Sequence, residues 1–203
     1  MAHRRVRYHV AVSLDGFIAG PNGEHDWIVM DPSIDFSALY REFDTAVIGR
    51  KTYDVMTSLA GSGAIPGLDV IVFSRTRAPE VLPGVRIVSD DPQQVVADLK
   101  RQPGRDIWLF GGGSLFRSLL DAGLVDTVEV AVMPVLLGSG TPLLPPGAST
   151  RLVLGGHTVL PSTGIVVLSY ALPGANGAAA GISYIKPRAA RRTAASRKAS
   201  RAS

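Results

Sequence analysis

From Val6 to Val12 apolar and polar positions alternate, placing Val6, Tyr8, Val10 and Val12 on one side, and this period of two predicts a strand. Ser13 to Pro32 breaks the pattern with the turn pairs Asp15-Gly16, Gly20-Pro21 and Asn22-Gly23, so a long loop is expected. Phe36, Leu39, Tyr40 and Phe43 then recur at helical spacing, which predicts a helix burying one face, with Ser33 as its N-cap. Short strands and helices alternate after that: strand 46–48, helix 52–59, strands 70–73 and 85–88, helix 92–101 with Pro92 in its first turn, and strand 107–110. Leu115, Phe116, Leu119 and Leu120 form the apolar face of the next helix, and Gly123 stops it. The last stretches, 128–132, 152–154 and 165–172, are strands joined by Gly/Pro-rich loops. Strand–helix units followed by hairpin-like returns predict an α/β domain. Its sheet should be mixed and mainly parallel, with helices on both faces and a strand-rich C-terminal end.

Composition narrows the class. The 203 residues are 46% hydrophobic and 19% charged, enough apolar material for one core. No apolar run has the length of a membrane-spanning helix, and Met1-Ala2-His3-Arg4-Arg5 does not open a signal-type segment, so a soluble, cytoplasmic protein is expected. There is no cysteine, and His3, His9, His25 and His157 share no ligand spacing, so no metal site is expected. The formal net charge is +4, yet residues 186–203 hold seven basic residues and no acid; residues 1–185 carry 14 basic and 17 acidic groups. The sequence therefore divides into a domain over 1–173 and a Gly/Ala link with a basic, disordered tail over 174–203, with an edge strand considered at 182–185. Such a tail suits unspecific phosphate contacts with RNA, DNA or an anionic membrane surface, or is a solvated, dispensable extension.

Three expected strand ends carry residues suited to anions. In Gly49-Arg50-Lys51-Thr52 a glycine precedes two cations and a helix start, whose free N–H groups and dipole favour phosphate. Ser74-Arg75-Thr76 offers hydroxyls and a guanidinium able to grip a phosphate through paired hydrogen bonds. Gly111-Gly112-Gly113-Ser114 leaves room for a pyrophosphate against backbone N–H groups. Each alone has a bland reading, Gly-Arg-Lys as an ordinary turn with solvated charges; all three at strand ends of one α/β sheet favour a dinucleotide. A Rossmann fingerprint is not met, because the glycines follow a late strand without the G-x-G-x-x-G spacing, and no Gly-Lys-Ser/Thr follows them.

In their order these residues resemble the dihydrofolate reductase superfamily: 12–19 (Val-Ser-Leu-Asp-Gly-Phe-Ile-Ala), 47–53 (Val-Ile-Gly-Arg-Lys-Thr-Tyr) and 72–76 (Val-Phe-Ser-Arg-Thr). Residues 111–115, 122–126 and 134–140 are similar to one branch, the reductase domain of the bifunctional riboflavin-biosynthesis deaminase-reductase and its stand-alone relatives. The resemblance implies NADPH as cofactor. Gly49, Arg50, Lys51 and Thr52 would meet its phosphates, and Ser74 and Arg75, with Thr76, its adenosine 2′-phosphate. Gly111, Gly112, Gly113, Ser114 and Leu115 would hold the pyrophosphate and nicotinamide side, with Ile18 near the nicotinamide. It also implies a homodimer. Two departures stand out: Phe110 occupies the place of a glutamate before the glycine pair, and His25-Asp26-Trp27-Ile28-Val29-Met30 replaces the usual substrate-loop pattern.

The expected reaction is hydride transfer from NADPH to a C=N or C=O group of a small pterin- or pyrimidine-like heterocycle. The alternative is a nucleotide-binding protein of the same fold without turnover. Asp35 lies near the place of the acid that dihydrofolate reductases keep in their first helix, and Asp31 is the next candidate; Asp35 reads equally as a carboxylate that serves the helix start. Trp27, Phe36 and Tyr40 are candidates for an apolar substrate wall, or for the core. Asp15, in its turn pair, reads as structural.

Overall fold

The computed structural model describes residues 4–174. The basic tail and the edge strand considered at 182–185 lie outside the described residues. Nine strands form one sheet in the order β10-β11-β8-β1-β7-β3-β4-β6-β5. These are β1 (Val6–Ser13), β3 (Phe43–Gly49), β4 (Asp69–Phe73), β5 (Glu80–Leu82), β6 (Val85–Val88), β7 (Asp106–Gly111), β8 (Thr127–Met133), β10 (Val153–Leu160) and β11 (Ile165–Ala171). The run from β8 to β6 is parallel; β5, β11 and β10 pair antiparallel at the two margins. A two-stranded ribbon, β2 (Phe17–Ala19) with β9 (Thr141–Pro142), lies apart from it.

Two apolar layers sandwich the parallel strands. Helices α3 (Pro92–Arg101) and α4 (Gly113–Asp121) cover one face, packing Val96, Leu115, Phe116 and Leu119 against Val6, Tyr8, Val47 and Leu109. Helices α1 (Phe36–Tyr40) and α2 (Arg50–Ala60) cover the other, with Leu39 and Tyr53 against Ala46, Ile48, Val70 and Trp108. Alternate residues of β3 therefore reach opposite layers, which is why this strand reads as a continuous apolar run.

The second face of β1 is buried too, and it is charged. Arg7, 2% exposed, donates from Nε and one terminal nitrogen to the two Glu129 oxygens at 2.7 Å each and also pairs with Glu42 at 2.5 Å. Burial opposes ionisation of Glu129, but the Arg7 hydrogen bonds outweigh it and hold the carboxyl below its usual range. This paired charge locks β1 to β8 in one register; a register slip would strand both ions in the core.

Several elements differ from expectation. The helix around Phe36 is one short turn; Asp35, not Ser33, caps it by accepting the Ala38 N–H. Phe43 opens β3, because its ring is buried by stacking on Trp108 at 5.3 Å beneath the Arg7 guanidinium, a burial the sheet supplies and a longer helix would forfeit. Strands β2, β5 and β9 have two or three residues each, too few to show a period. Strand β10 runs well past 152–154; it is an edge strand whose Gly155, Gly156, His157 and Thr158 carry no strand signature, and pairing with β11 defines it.

Candidate functional site

The C-terminal ends of the parallel strands lie side by side: Gly49 is in register with Phe73, and Ile48 with Gly111. Each strand end runs straight into a helix, β3 into α2 and β7 into α4. The caps of those helices are Gly49 and Gly112, and neither supplies a side-chain hydrogen bond to the first turn. Two helix starts with uncapped N–H groups thus meet at one sheet edge.

Glycine shapes the space between them. A Cβ on Gly49 would lie 3.7 Å from the Gly112 nitrogen, and Cβ atoms on Gly111 and Gly112 would lie 3.4 and 3.5 Å from the Thr52 hydroxyl. Gly111 has φ +153°, a conformation only glycine takes readily, and its peptide bond to Gly112 is cis. Side chains at these positions would fill the cradle, so Gly49, Thr52, Gly111 and Gly112 fit a pyrophosphate. Gly113 has another reason to be glycine: its Cβ would lie 2.8 Å from the Pro142 carbonyl oxygen, so it seats α4 against the ribbon. Leu115 is a core residue, 8% exposed, leaving its backbone N–H alone for a ligand, while Ser114 is exposed beside it. Ile18 packs on the α4-side core.

At the neighbouring end of β4, Ser74 does not present its hydroxyl as expected. It is buried, and its oxygen accepts the N–H groups of Thr76 at 3.3 Å and Arg77 at 2.9 Å, shaping the turn. Arg75, Thr76 and Lys51 are exposed. Two residues outside the sequence expectation join the group: Asp54 accepts from Arg50 at 2.6 Å and from Arg77 at 2.9 Å. The spacing of Arg50 and Asp54, one helical turn apart, is the signal that could have found the first; nothing in the sequence marks the second.

Phe36 and Tyr40 come together, with ring centroids 6.2 Å apart, and the row continues through Trp108, 5.8 Å from Tyr40, to Phe110, 4.9 Å from Trp108 and next to Gly111. Burial raises the Tyr40 hydroxyl above its ordinary value. Trp27 does not join them. Its indole donates to the Glu24 carbonyl, and its ring packs on the cluster of Met133, Leu160, Ile165 and Val167, because the 25–34 loop crosses the strand-rich end of the sheet.

The carboxylates separate. Asp31 accepts the Ser33 hydroxyl at 2.6 Å, the Ser33 N–H at 2.8 Å and the Thr163 hydroxyl at 2.7 Å, which hold it below the usual carboxylate range. It thereby ties the loop to the β10–β11 turn, and an acid kept ionised does not donate a proton at neutral pH. Asp35 is half-buried at the start of α1, one residue before Phe36. Asp15 spans two loops, accepting from Ser13 Oγ at 2.6 Å and from the N–H groups of Leu137 and Gly138, as its structural reading expects. Among the described residues no group of side chains could hold a metal ion, and no helix is long and apolar enough to cross a membrane.

A mainly parallel sheet layered by helices, with glycines at the ends of adjacent strands, defines an α/β fold with its candidate site at those ends. The chain matches the RibD C-terminal domain family over residues 4–166, and it belongs to that family. It is 37% identical over 154 residues to YyaP of Bacillus subtilis (strain 168), covering 70% of this chain and 81% of that one; YwjB of the same strain is 31% identical over 145 residues, covering 69% and 82%. Both relatives are named only as uncharacterized proteins. Among solved structures, a candidate riboflavin biosynthesis protein from Shewanella sp. PV-4 superposes with a TM-score of 0.71 at 27% identity, over 83% of this chain and 98% of that one. The Thermotoga maritima deaminase/reductase gives 0.63 at 17% identity over 84% and 57%, and Enterococcus faecalis dihydrofolate reductase complexed with NADP(H) gives 0.63 at 18% over 85% and 99%. These last two show likeness of fold.

Proposed function

We propose that this protein is an NADPH-dependent reductase of a small, flat heterocycle bearing a C=N or C=O group. The observation that carries the reading is the meeting of two uncapped helix starts, α2 and α4, over Gly49, Thr52, Gly111 and Gly112 at the ends of adjacent parallel strands. Family membership agrees with it. In this reading the N–H groups opening α2 and α4 and the Thr52 hydroxyl bind the pyrophosphate, while Arg50 and Lys51 neutralise its charge. NADPH, when bound, supplies the hydride. Phe110, half-buried next to Gly111, and Phe36 and Tyr40, half-buried on α1, would orient a flat ring while excluding water, with the buried Trp108 packed behind them. Asp35 is the carboxyl that delivers the proton to the reduced nitrogen or oxygen, since Asp31 is committed to Ser33 and Thr163.

The reading includes a homodimer joined through the strand-rich end, supported by the edge strand β10, where Val153, Leu154 and Val159 are each more than half exposed. The test of the whole reading is a fluorescence titration of the full chain with NADPH, followed by a screen of pterins and pyrimidines for NADPH consumption. Saturable binding with turnover of one class supports it; saturable binding with no turnover would favour the binding protein without catalysis. Failure to bind NADPH would sink it.

A further inference from the structure

We infer that the heterocycle reduced at this site carries no phosphate or carboxylate group. The inference rests on the proposed reductase reading and narrows its substrate class. It is carried by the contrast between backbone donors on the two sides of the sheet. The starts of α2 and α4 are uncapped, whereas N–H groups in the loops after β1 and β8 are filled by the chain's own carboxylates. Asp15 accepts from Leu137 and Gly138, Glu24 from Asn22, Asp31 from Ser33 and Asp35 from Ala38. A substrate anion needs such donors or a cation, and these donors are taken.

Cations are missing from the same half. The glycine end of β7 lies between β1 and β8 on one side and β3 and β4 on the other. Arg50, Lys51, Arg75 and Arg77 all follow β3 or β4. Residues 14–35, which run from β1 to α1 and include Ile18 and Asp35, hold five acids and no Lys or Arg; residues 134–150 and 161–164 hold no charged residue. These segments are tied together, because β2 pairs with β9, Asp15 reaches the 137–138 turn and Asp31 reaches Thr163. Hydrogen bonds, first of all from the Ser13, Asn22 and Ser33 side chains, hold Asp15, Glu24 and Asp31 below the usual carboxylate range, so all three are ionised at neutral pH. Arg117 of α4 touches this half, but its guanidinium donates to the carbonyls of Pro145 and Ala148 and to Asp121. His25 has a ring nitrogen 3.4 Å from the Gly23 carbonyl oxygen. Beside Phe36, Tyr40 and Phe110, an anionic arm would meet carboxylates and the negative faces of aromatic rings, and both disfavour it.

The test compares ligands that differ only by a phosphate. The full chain is saturated with NADP+, which fills the cofactor cradle and prevents turnover, and is then titrated at low salt. The pairs are 6-hydroxymethyl-7,8-dihydropterin against its phosphate, and uridine against its 5′-monophosphate. In the pair that binds, the uncharged member should bind at least about tenfold more tightly, equal to about 1.4 kcal/mol. Added salt should narrow that gap, as should Asp26→Lys, which reverses an exposed charge in the 14–35 segment. Equal or tighter binding of the phosphate overturns the inference. A gap that neither salt nor Asp26→Lys narrows is steric in origin and overturns it as well. If NADP+ binds but no member of either pair does, the inference falls and the cofactor reading stands; if NADP+ does not bind, both fall.

Discussion

Asp15 and Asp35 are carboxylates in different settings, one bridging two loops and one capping α1. Asp15 accepts the Ser13 hydroxyl and two backbone N–H groups of the 137–138 turn, and these push its carboxyl down to about 2. Its folded value lies below the unfolded one, about 4, so the stability it adds is complete above that pH and disappears as pH falls through the folded value. Asp15→Asn should therefore lower the melting temperature at pH 6 and flatten the loss of stability on acidification, as thermal denaturation across pH would show; parallel curves for both proteins would refute the clamp. Asp35 differs because its structural duty is transferable. Asparagine caps a helix about as well as aspartate, so Asp35→Asn should keep the fold and the NADPH affinity. If Asp35 delivers the proton, kcat falls by about 100-fold, and unchanged turnover removes it from the mechanism.

Helix starts and the glycines before them set the site at the element scale, and two glycines separate binding from packing. Gly49 has φ −83°, which alanine accepts, and its Cβ would meet only ordinary contacts with the Gly112 nitrogen and the Gly111 carbonyl oxygen. Gly49→Ala should fold normally and weaken NADPH by about tenfold or more, read by titration, because a methyl group would stand between the two helix starts. Gly113→Ala would instead press on the Pro142 carbonyl and the Pro145 ring, costing about 1–3 kcal/mol in denaturant unfolding through the α4–ribbon contact. The sequence distinguishes these glycines poorly, since all three of 111–113 look alike in it. Elements whose apolar period is long or well punctuated were legible to the residue, as with β6 and α3. The helix assigned around Phe36 was not, because Phe43 satisfies a helical period and a strand end equally, and Trp108 decides between them only in three dimensions. Arg77 was invisible for the same reason: its partners Asp54 and Tyr53 lie 23 and 24 positions away in sequence and meet it only once β3 and β4 pair.

At the scale of the molecule the two margins of the sheet differ. One ends in the short β5, three residues long; the other ends in β10, eight residues long, with Val153, Leu154 and Val159 exposed. A long edge strand with apolar side chains invites pairing with another chain, and natural sheets usually blunt such edges with charge or proline. Residues 153–160 contain neither, although polar Thr158 and His157 interrupt the run. In the proposed dimer a second copy would cover β10 and account for this apolar edge, while the C-terminal ends of β3 and β7 lie at a different border of the sheet. Leu154→Lys places a charge on that edge without entering the core, since Leu154 is 54% exposed. It should convert a dimeric wild type to monomer in sedimentation or light scattering while leaving NADPH affinity within about twofold, because a surface charge at that distance from the cradle is screened by salt. A wild type that is monomeric at every concentration tested would remove the dimer and leave the cradle reading untouched.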